Sequence, residues 1–191
     1  MKKRSIAAIV LAAAVSATAS IDAQTKVTEK AFVSDGRIEL WLDAGDFDVK
    51  PSIDNRIRVT LTGNVGNAKV EVTASGSQGK AVVRDTPHNN FSAIIEVPKN
   101  ADLMIRMNAG DLKVGAIAGN KDVETTAGDV KIAVGDPNDY ASVDAAVKVG
   151  DLSASQFGGS KGEFLSKSVS WSGKGKYKLR AHLGVGDLKL Q

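Results

Sequence analysis

The stretch Asn108–Val114 (Asn-Ala-Gly-Asp-Leu-Lys-Val) decides the fold, because close copies of it recur along the chain. Three further copies begin at Thr126, Lys148 and Gly184, and a fifth, Asp-Ala-Gly-Asp-Phe-Asp-Val, begins at Asp43. In each copy, a Gly-Asp pair typical of a turn is followed by alternating apolar and polar residues, which is the pattern of a β-strand. Repeated turn and strand units are typical of stacked β architectures.

Alternation with a period of two extends over most of the remaining chain. It is clear over residues 38–42, 57–62, 68–73, 93–97 and 103–107. Beyond the N-terminal leader, no segment keeps a helical 3.6-residue period for three turns, so the sequence predicts an all-β fold. Turn-forming residues at 63–67, 75–79 and 85–90 predict antiparallel hairpins up to about Lys99.

The spacing of the repeats predicts how they stack. The glycines of the last four copies, at positions 110, 128, 150 and 186, are separated by 18, 22 and 36 residues. A four-residue turn at 136–139 explains the second step, and two steps of 18 explain the third, with a coil that lacks Gly-Asp near Ser168–Trp171. An 18-residue step spans roughly 60 Å of extended chain, enough for two or three short strands and their corners. We therefore predict a β-solenoid-like stack of Gly-Asp turn and strand repeats, preceded by antiparallel strands.

The first 23 residues have the pattern of a cleaved secretory signal peptide. Basic residues 2–4 precede an apolar run over 6–15, and small residues then allow cleavage after Ala19 or Ala23. The run is shorter than the about 20 residues that a membrane-spanning helix needs. The sequence predicts an exported single domain over 24–191, without an integral membrane span after cleavage. The compartment is the periplasm, the outer surface or the extracellular medium.

Composition excludes several functions. The formal net charge of +3 falls to about +1 when the leader takes three basic residues and Asp22 with it, so nucleic acid is not a predicted partner. The chain has no Cys, which excludes disulfides, thiol catalysis and Cys-ligated metals. His88 and His182 lie far apart in sequence, and no Ser lies in a Gly-x-Ser-x-Gly motif. We therefore predict neither a His-based metal site nor Ser-based hydrolysis.

A set of short motifs occurs in a fixed order over nearly the whole of residues 24–191. Glu96–Lys99 leads into Leu103–Arg106, and Ala-Gly-Asp follows at 109–111 and again at 127–129. Gly175–Ala181 then precedes Gly184–Asp187, and Gly-Asp also occurs at 45–46. In this order the motifs resemble a bacterial "putative adhesin" domain family of unknown function. The resemblance implies an exported β-strand-repeat fold without established catalytic residues.

The repeats place five aspartates at equivalent positions: Asp46, Asp111, Asp129, Asp151 and Asp187. If the repeats stack in register, their carboxylates form a ladder, and calcium binds to Gly- and Asp-rich repeats in some β-rolls. A lysine, however, follows three of these aspartates by two residues, on the same face of the strand. Because this cation disfavours a metal, we interpret the aspartates as turn caps and predict no cofactor.

Two classes of function are considered; we predict the first, a protein that is not an enzyme, and keep the second as the alternative. The first is a non-enzymatic envelope or surface module, adhesin-like, that binds an envelope protein or glycan of unknown identity along an extended face. The second is a calcium-dependent β-helix enzyme that acts on polysaccharide, although no cluster of Asp, Lys and Arg interrupts the repeats. Self-association is a further prediction, because the final strand, Leu188–Leu190, has no obvious cap and would leave an open sheet edge.

The two tryptophans differ in their predicted surroundings. Trp41 lies on the polar side of its strand, opposite to Leu40 and Leu42. There it either stacks on a sugar or packs under a neighbouring loop or strand, and packing is the favoured interpretation. Trp171 shares its side with Val169, which predicts a place in the core.

Overall fold

The protein is built from sixteen β-strands, in a computed structural model that describes residues 25–162 and 166–191. The predicted signal peptide, residues 1–23, lies outside these residues. Two short 3-10 turns, Pro137–Asp139 and Ser155–Phe157, accompany the strands. In chain order, the strands are β1 (Lys26–Ala31), β2 (Arg37–Ala44), β3 (Asp46–Ser52), β4 (Arg56–Gly63), β5 (Lys69–Ser75), β6 (Gln78–Arg84), β7 (Phe91–Pro98), β8 (Asp102–Ala109), β9 (Leu112–Val114), β10 (Lys121–Ala127), β11 (Val130–Ile132), β12 (Tyr140–Val149), β13 (Leu152–Ser153), β14 (Lys167–Ser172), β15 (Tyr177–Val185) and β16 (Leu188–Leu190).

The all-β prediction is confirmed, and the strands form two mixed sheets of eight strands each. Sheet I has the order β1-β4-β7-β3-β9-β11-β16-β13, and sheet II has the order β14-β12-β15-β10-β8-β2-β6-β5. Alternate residues of most strands are buried, and both sheets contribute them to one apolar cluster. The outer face of each sheet is therefore the polar face, as the alternation predicted. Within the described part of the chain, no helix is long and apolar enough to cross a membrane.

The Gly-Asp pair of each of the five repeats lies at a corner where the chain passes from sheet II into sheet I. For example, β8 ends at Ala109, and β9 begins at Leu112 in the other sheet. The same passage joins β2 to β3, β10 to β11, β12 to β13 and β15 to β16. Main-chain bonds tie one corner to the next: the N–H of Gly110 donates to the carbonyl of Ala127 at 3.0 Å. The corners thus hold the parallel strands of both sheets in register.

The predicted solenoid-like stack is not confirmed, because the repeats do not stack in chain order. The last repeat, β15 with β16, inserts between the repeat of β10 and β11 and that of β12 and β13. The stretch around Ser168–Trp171, predicted to be a degenerate coil, instead forms the antiparallel edge strand β14 beside β12. Since this stretch lacks Gly-Asp, it has no corner that would carry it into sheet I.

The predicted run of antiparallel hairpins is only partly correct. The turn after Ser75 joins β5 and β6 as an antiparallel pair. The turns at 63–67 and 85–90 instead carry the chain from one sheet to the other. Moreover, β2 pairs in parallel with β6 and β8, and β3 pairs in parallel with β7 and β9. Turn residues specify that the chain reverses, but they do not specify which sheet it enters.

The prediction that Leu188–Leu190 forms an open edge is wrong. This strand, β16, pairs in parallel with β11 on one side and with β13 on the other. In the described part of the fold, the edges are β1 and β13 of sheet I and β14 and β5 of sheet II. Insertion of the last repeat into the middle of the stack gives the C-terminal strand a partner strand on each side.

Candidate binding face of sheet II

The structure brings the five predicted aspartates into one row on the outer face of sheet I. Their order in space is Asp46, Asp111, Asp129, Asp187 and Asp151, and all five are exposed. Main-chain bonds connect the neighbours; for example, the N–H of residue 112 donates to the carbonyl of Asp129 at 2.8 Å. Three lysines, at 113, 131 and 189, form the adjacent row on the same face.

Three of these carboxylates contact donors of the protein. Asp129 accepts a bond from the N–H of Asp187 at 3.2 Å, and Asp187 accepts one from the N–H of Asp151 at 3.1 Å. Asp151 forms an ion pair with Lys167. Two aspartates therefore bond the backbone of the next repeat in space. Within residues 25–162 and 166–191, no group of three or more His, Cys, Asp or Glu residues could hold a metal ion.

The two histidines lie in different settings. His88 is exposed in the turn between β6 and β7. His182 is half-buried on the outer face of β15, where its Nδ1 lies 3.0 Å from Nη2 of Arg180. Its Nε2 lies 3.6 Å from the carboxylate of Asp144. The structure therefore places each histidine in its own surroundings rather than in a shared site.

A groove of about 750 Å³ crosses the outer face of sheet II. It runs over six parallel strands in the order β12-β15-β10-β8-β2-β6. Since neighbouring strands lie about 4.8 Å apart, five strand spacings extend over about 24 Å. Two rows of side chains line it: Ala146, His182, Glu124, Arg106, Trp41 and Val82 in the first, and Lys148, Gly184, Thr126, Asn108, Asp43 and Arg84 in the second.

Trp41 separates this groove from a smaller depression. Trp41 is 42% exposed, so the interpretation that it packs under a loop or strand is wrong. The ring lines both the groove and a depression of about 310 Å³ on its other side, and Nζ of Lys80 lies 5.6 Å from the ring centroid. Trp171, in contrast, is half-buried against the core, with its ring centroid 5.2 Å from that of Phe157, in line with its prediction.

Two arginines and two carboxylates form an ionic cluster at the centre of this face. Asp122 accepts hydrogen bonds from Arg106 at 2.9 Å and from Arg180 at 3.1 Å, and Glu124 pairs with the same two arginines. The hydrogen bond from Arg180 lowers the pKa of Glu124. Although partial burial opposes the shift, hydrogen bonds from Arg106 and Arg180 also lower the pKa of Asp122. Both carboxylates are therefore ionised and engaged at neutral pH.

The ends of the groove carry positive charge. The carboxylate of Asp43 accepts bonds from Nδ2 of Asn108 at 2.9 Å and from the N–H of Asp85 at 3.2 Å. Arg84 on β6 and Lys148 on β12 are exposed, and no carboxylate among the described residues lies within 4.0 Å of either cation. These two cations therefore remain available to a ligand.

A buried lysine that was not predicted from the sequence lies below this face. Lys121 is 2% exposed, and its Nζ donates to the Tyr140 hydroxyl at 3.1 Å and to the Gly119 carbonyl at 3.3 Å. Burial lowers the pKa of Lys121 to about 8. The alternation of β10 already indicated that this lysine points inward, because Lys121 shares the inward side of the strand with Val123 and Thr125.

The fold is similar to that of a solved protein whose name refers to cell adhesion. No protein-family model and no curated protein matches this sequence. A solved "putative cell adhesion protein" from Clostridium sporogenes ATCC 15579 is similar over 88% of this chain and 99% of its own, with 12% identity and a TM-score of 0.57. The fold is therefore shared with that protein, in agreement with the resemblance found in the sequence.

Two other solved structures with related names are less similar to this chain. A "putative adhesin" from Parabacteroides merdae ATCC 43184 is 11% identical, over 69% of this chain and 68% of its own. Another from Bacteroides fragilis NCTC 9343 is 10% identical, over 88% of this chain and 97% of its own. The TM-score is 0.28 for both, which is too low to support a conclusion about the fold.

Proposed function

We propose that this protein is an exported, non-enzymatic module of the cell envelope or cell surface, and that it binds a glycan on the outer face of sheet II in an adhesin-like manner. The observation that carries the proposal is Trp41, which is 42% exposed and lines a groove across six parallel strands. The fold shared with a protein named for cell adhesion supports the same class of function.

An exposed indole ring carries a free-energy cost. A large aromatic side chain on a wet face forgoes the stabilisation that burial would provide, and exposed apolar surface rimmed by polar groups is typical of interaction sites. The ring is flat and apolar, with a polar N–H at its edge, so it suits a sugar, which has an apolar face and hydroxyl groups around it. A groove that crosses several strands suits a chain of sugars better than a single one.

Within this proposal, the five Gly-Asp corners act as a solenoid-like scaffold that keeps the strands of the groove in register. The row of aspartates on sheet I caps backbone N–H groups rather than binding a metal, and the bonds of Asp129 and Asp187 support that role. Among the described residues, no observation favours the calcium-dependent enzyme, because the groove carboxylates Asp43 and Glu124 are engaged by donors of the protein itself.

A binding assay with matched variants tests the proposal. The purified protein is presented with a panel of neutral and acidic soluble polysaccharides, and affinities are compared for wild type and Trp41→Ala. Ile53→Ala, which removes a fully exposed apolar side chain outside the groove, is the control. We expect at least one polysaccharide to bind, Trp41→Ala to lose about tenfold or more in affinity, and Ile53→Ala to bind as wild type does.

Fluorescence locates the contact independently. In a Trp171→Phe background, Trp41 is the single tryptophan of the chain, so a bound sugar should change its emission. Thermal unfolding followed by circular dichroism establishes that each variant is folded. Binding that is unchanged in Trp41→Ala, or absent throughout the panel, would contradict the proposal.

A further inference from the structure

We infer that the ligand of this groove is an extended anionic polysaccharide, with acid groups that pair with Arg84 and Lys148 and with a sugar ring against Trp41. The inference rests on the proposed function, because it names the ligand class of the same groove. It goes further by assigning a charge to the ligand, a direction across the strands and two residues that select it.

The groove carries an excess of positive charge. Four cations line it: Arg84, Arg106, Lys148 and Arg180. Three carboxylates stand against them, since Asp122 and Glu124 pair with the two central arginines, and Asp43 accepts bonds from Asn108 and from a backbone N–H. Four cations against three carboxylates leave an excess of one positive charge. A cleft with excess charge of one sign attracts ligands of the other sign, so the groove favours an anion.

The two groove cations that form no ion pair among the described residues lie far apart. Arg84 and Lys148 lie in the same row but on β6 and β12, which are the outermost of the six strands. At about 4.8 Å for each of five strand spacings, their backbones are about 24 Å apart. A monosaccharide cannot contact both, whereas a chain of acidic sugars can. The ligand is therefore a polymer that crosses the strands.

The floor of the groove between Arg84 and Lys148 leaves room for a ligand. Gly184, Thr126, Asn108 and Asp43 occupy the intervening positions of the row, and their small or short side chains leave space for a chain to lie. The carboxylate of Asp43 is held by Nδ2 of Asn108 and by the N–H of Asp85. The Asn108 and Thr126 side chains also offer hydrogen-bonding groups to sugar hydroxyls. Lys80, with its Nζ 5.6 Å from the Trp41 ring centroid, adds a cation beside the ring on which a sugar would stack.

The experiment compares polymers that differ in charge alone. Polygalacturonate is paired with the same polymer after reduction of its carboxyl groups, and sulfated dextran is paired with dextran. Affinities are measured by titration calorimetry at low and at high salt, because contacts between exposed charges weaken as salt screens them. The variants are Arg84→Gln, Lys148→Gln and their double. Lys131→Gln, which removes an exposed lysine from the outer face of sheet I, is the matched control.

We expect the wild type to bind one acidic polymer at least tenfold more tightly than its neutral partner, with an affinity that falls as salt rises. The double variant should lose about tenfold or more toward that polymer, and Lys131→Gln should lose nothing. The weaker binding of the neutral partner should not change in the double variant, because Trp41 and the floor remain. Preference for the sulfated or for the carboxylated polymer would identify the acid group.

The outcomes that overturn the inference are distinct from those that overturn the proposed function. Equal binding of the charged and neutral polymers, with Trp41→Ala still weakened, would refute the anionic ligand and leave the sugar-binding face in place. Preference for an acidic polymer that persists in the double variant would refute the assignment to Arg84 and Lys148. An absence of binding to all four polymers and to the wider panel would contradict both proposals.

Discussion

The Nζ atom of Lys121 lies 3.1 Å from the phenolic oxygen of Tyr140, within a core that is otherwise almost entirely apolar. The Tyr140 hydroxyl donates in turn to the carbonyl of Val134 at 3.1 Å. Burial lowers the pKa of Lys121 to about 8 and raises the pKa of Tyr140 to about 12. Two hydrogen bonds only partly offset the cost of removing an ammonium group from water, so Lys121 opposes folding while it is charged.

The substitution Lys121→Met should stabilise the protein at pH 7. Methionine has a similar length and fills the space without a charge, while Tyr140 retains its bond to Val134. A pKa lowered from 10.5 to about 8 corresponds to about 3 kcal/mol of unfolding free energy. Urea unfolding at pH 7 measures the gain, and a variant less stable than wild type would contradict the argument.

The same pair predicts an unusual pH dependence. Between pH 8 and pH 10.5, the unfolded chain binds a proton at Lys121 that the folded protein has lost, so the stability of wild type should rise with pH. Above pH 10, the unfolded chain ionises Tyr140 while the folded protein keeps it neutral, so stability should then fall. Urea unfolding between pH 7 and pH 11 should show a maximum near pH 10 in wild type. Lys121→Met should lack the rise; the same rise in both proteins would assign it to another group.

The substitution Gly128→Ala should destabilise the stack of corners. Gly128 has a φ of +122°, and an added Cβ would lie inside van der Waals contact of the Gly110 carbonyl oxygen in the next repeat. We expect a loss of about 3 kcal/mol in urea unfolding. Gly135→Ala is the control, since Gly135 also has positive φ, at +71°, but has open space around the added Cβ. It should cost only about 1 kcal/mol, and equal losses would show that close approach between the repeats is unimportant.

The substitution Thr125→Val should stabilise the core. Thr125 is 5% exposed on the inward side of β10, and its hydroxyl has no hydrogen-bond partner among the described residues. Valine has the same shape without the buried hydroxyl, so we expect a gain of about 1 kcal/mol in unfolding free energy. The control is Thr126→Val, at the exposed neighbouring position, which should change stability by less than about 0.5 kcal/mol. A loss in Thr125→Val would indicate that the hydroxyl has a partner after all.

Calcium should leave the thermal stability unchanged. The carboxylates of Asp129 and Asp187 already accept backbone N–H bonds, and lysines lie beside the row. We therefore expect the same Tm by circular dichroism with calcium and with a chelator. Asp129→Ala should lower stability by about 1 kcal/mol through the lost bond, in either condition. A Tm raised by several degrees in calcium would make the row a metal site, because a ligand that binds only the folded state stabilises it.

The local features of the fold were predictable from particular residues. The alternation of Ile38, Leu40 and Leu42 identified both the strand and its buried side, and the same pattern identified most of the others. The Gly-Asp pairs were correctly placed at turns, because the backbone conformation of a turn depends on the few residues within it. Even the inward position of Lys121 follows from its parity with Val123, although its chemistry argued for the surface.

The candidate site was harder to predict from the sequence than the strands and turns were. Alternation placed Trp41 on the polar side of β2, yet whether a loop covers it depends on residues that are distant in the chain. The groove joins side chains from six strands between β2 and β15, and its two end cations, Arg84 and Lys148, are 64 positions apart. No local pattern specifies which strands become neighbours on such a face.

The sequence by itself determined the strands, their buried sides and the corners, because side-chain period and turn chemistry act over a few residues. The tertiary structure alone decided the order of the repeats, with Asp187 between Asp129 and Asp151 and β16 in the middle of its sheet. The repeats present similar edges, so several stacking orders satisfy the same local rules. The choice among them depends on packing summed over the whole core, and that choice also assembles the groove.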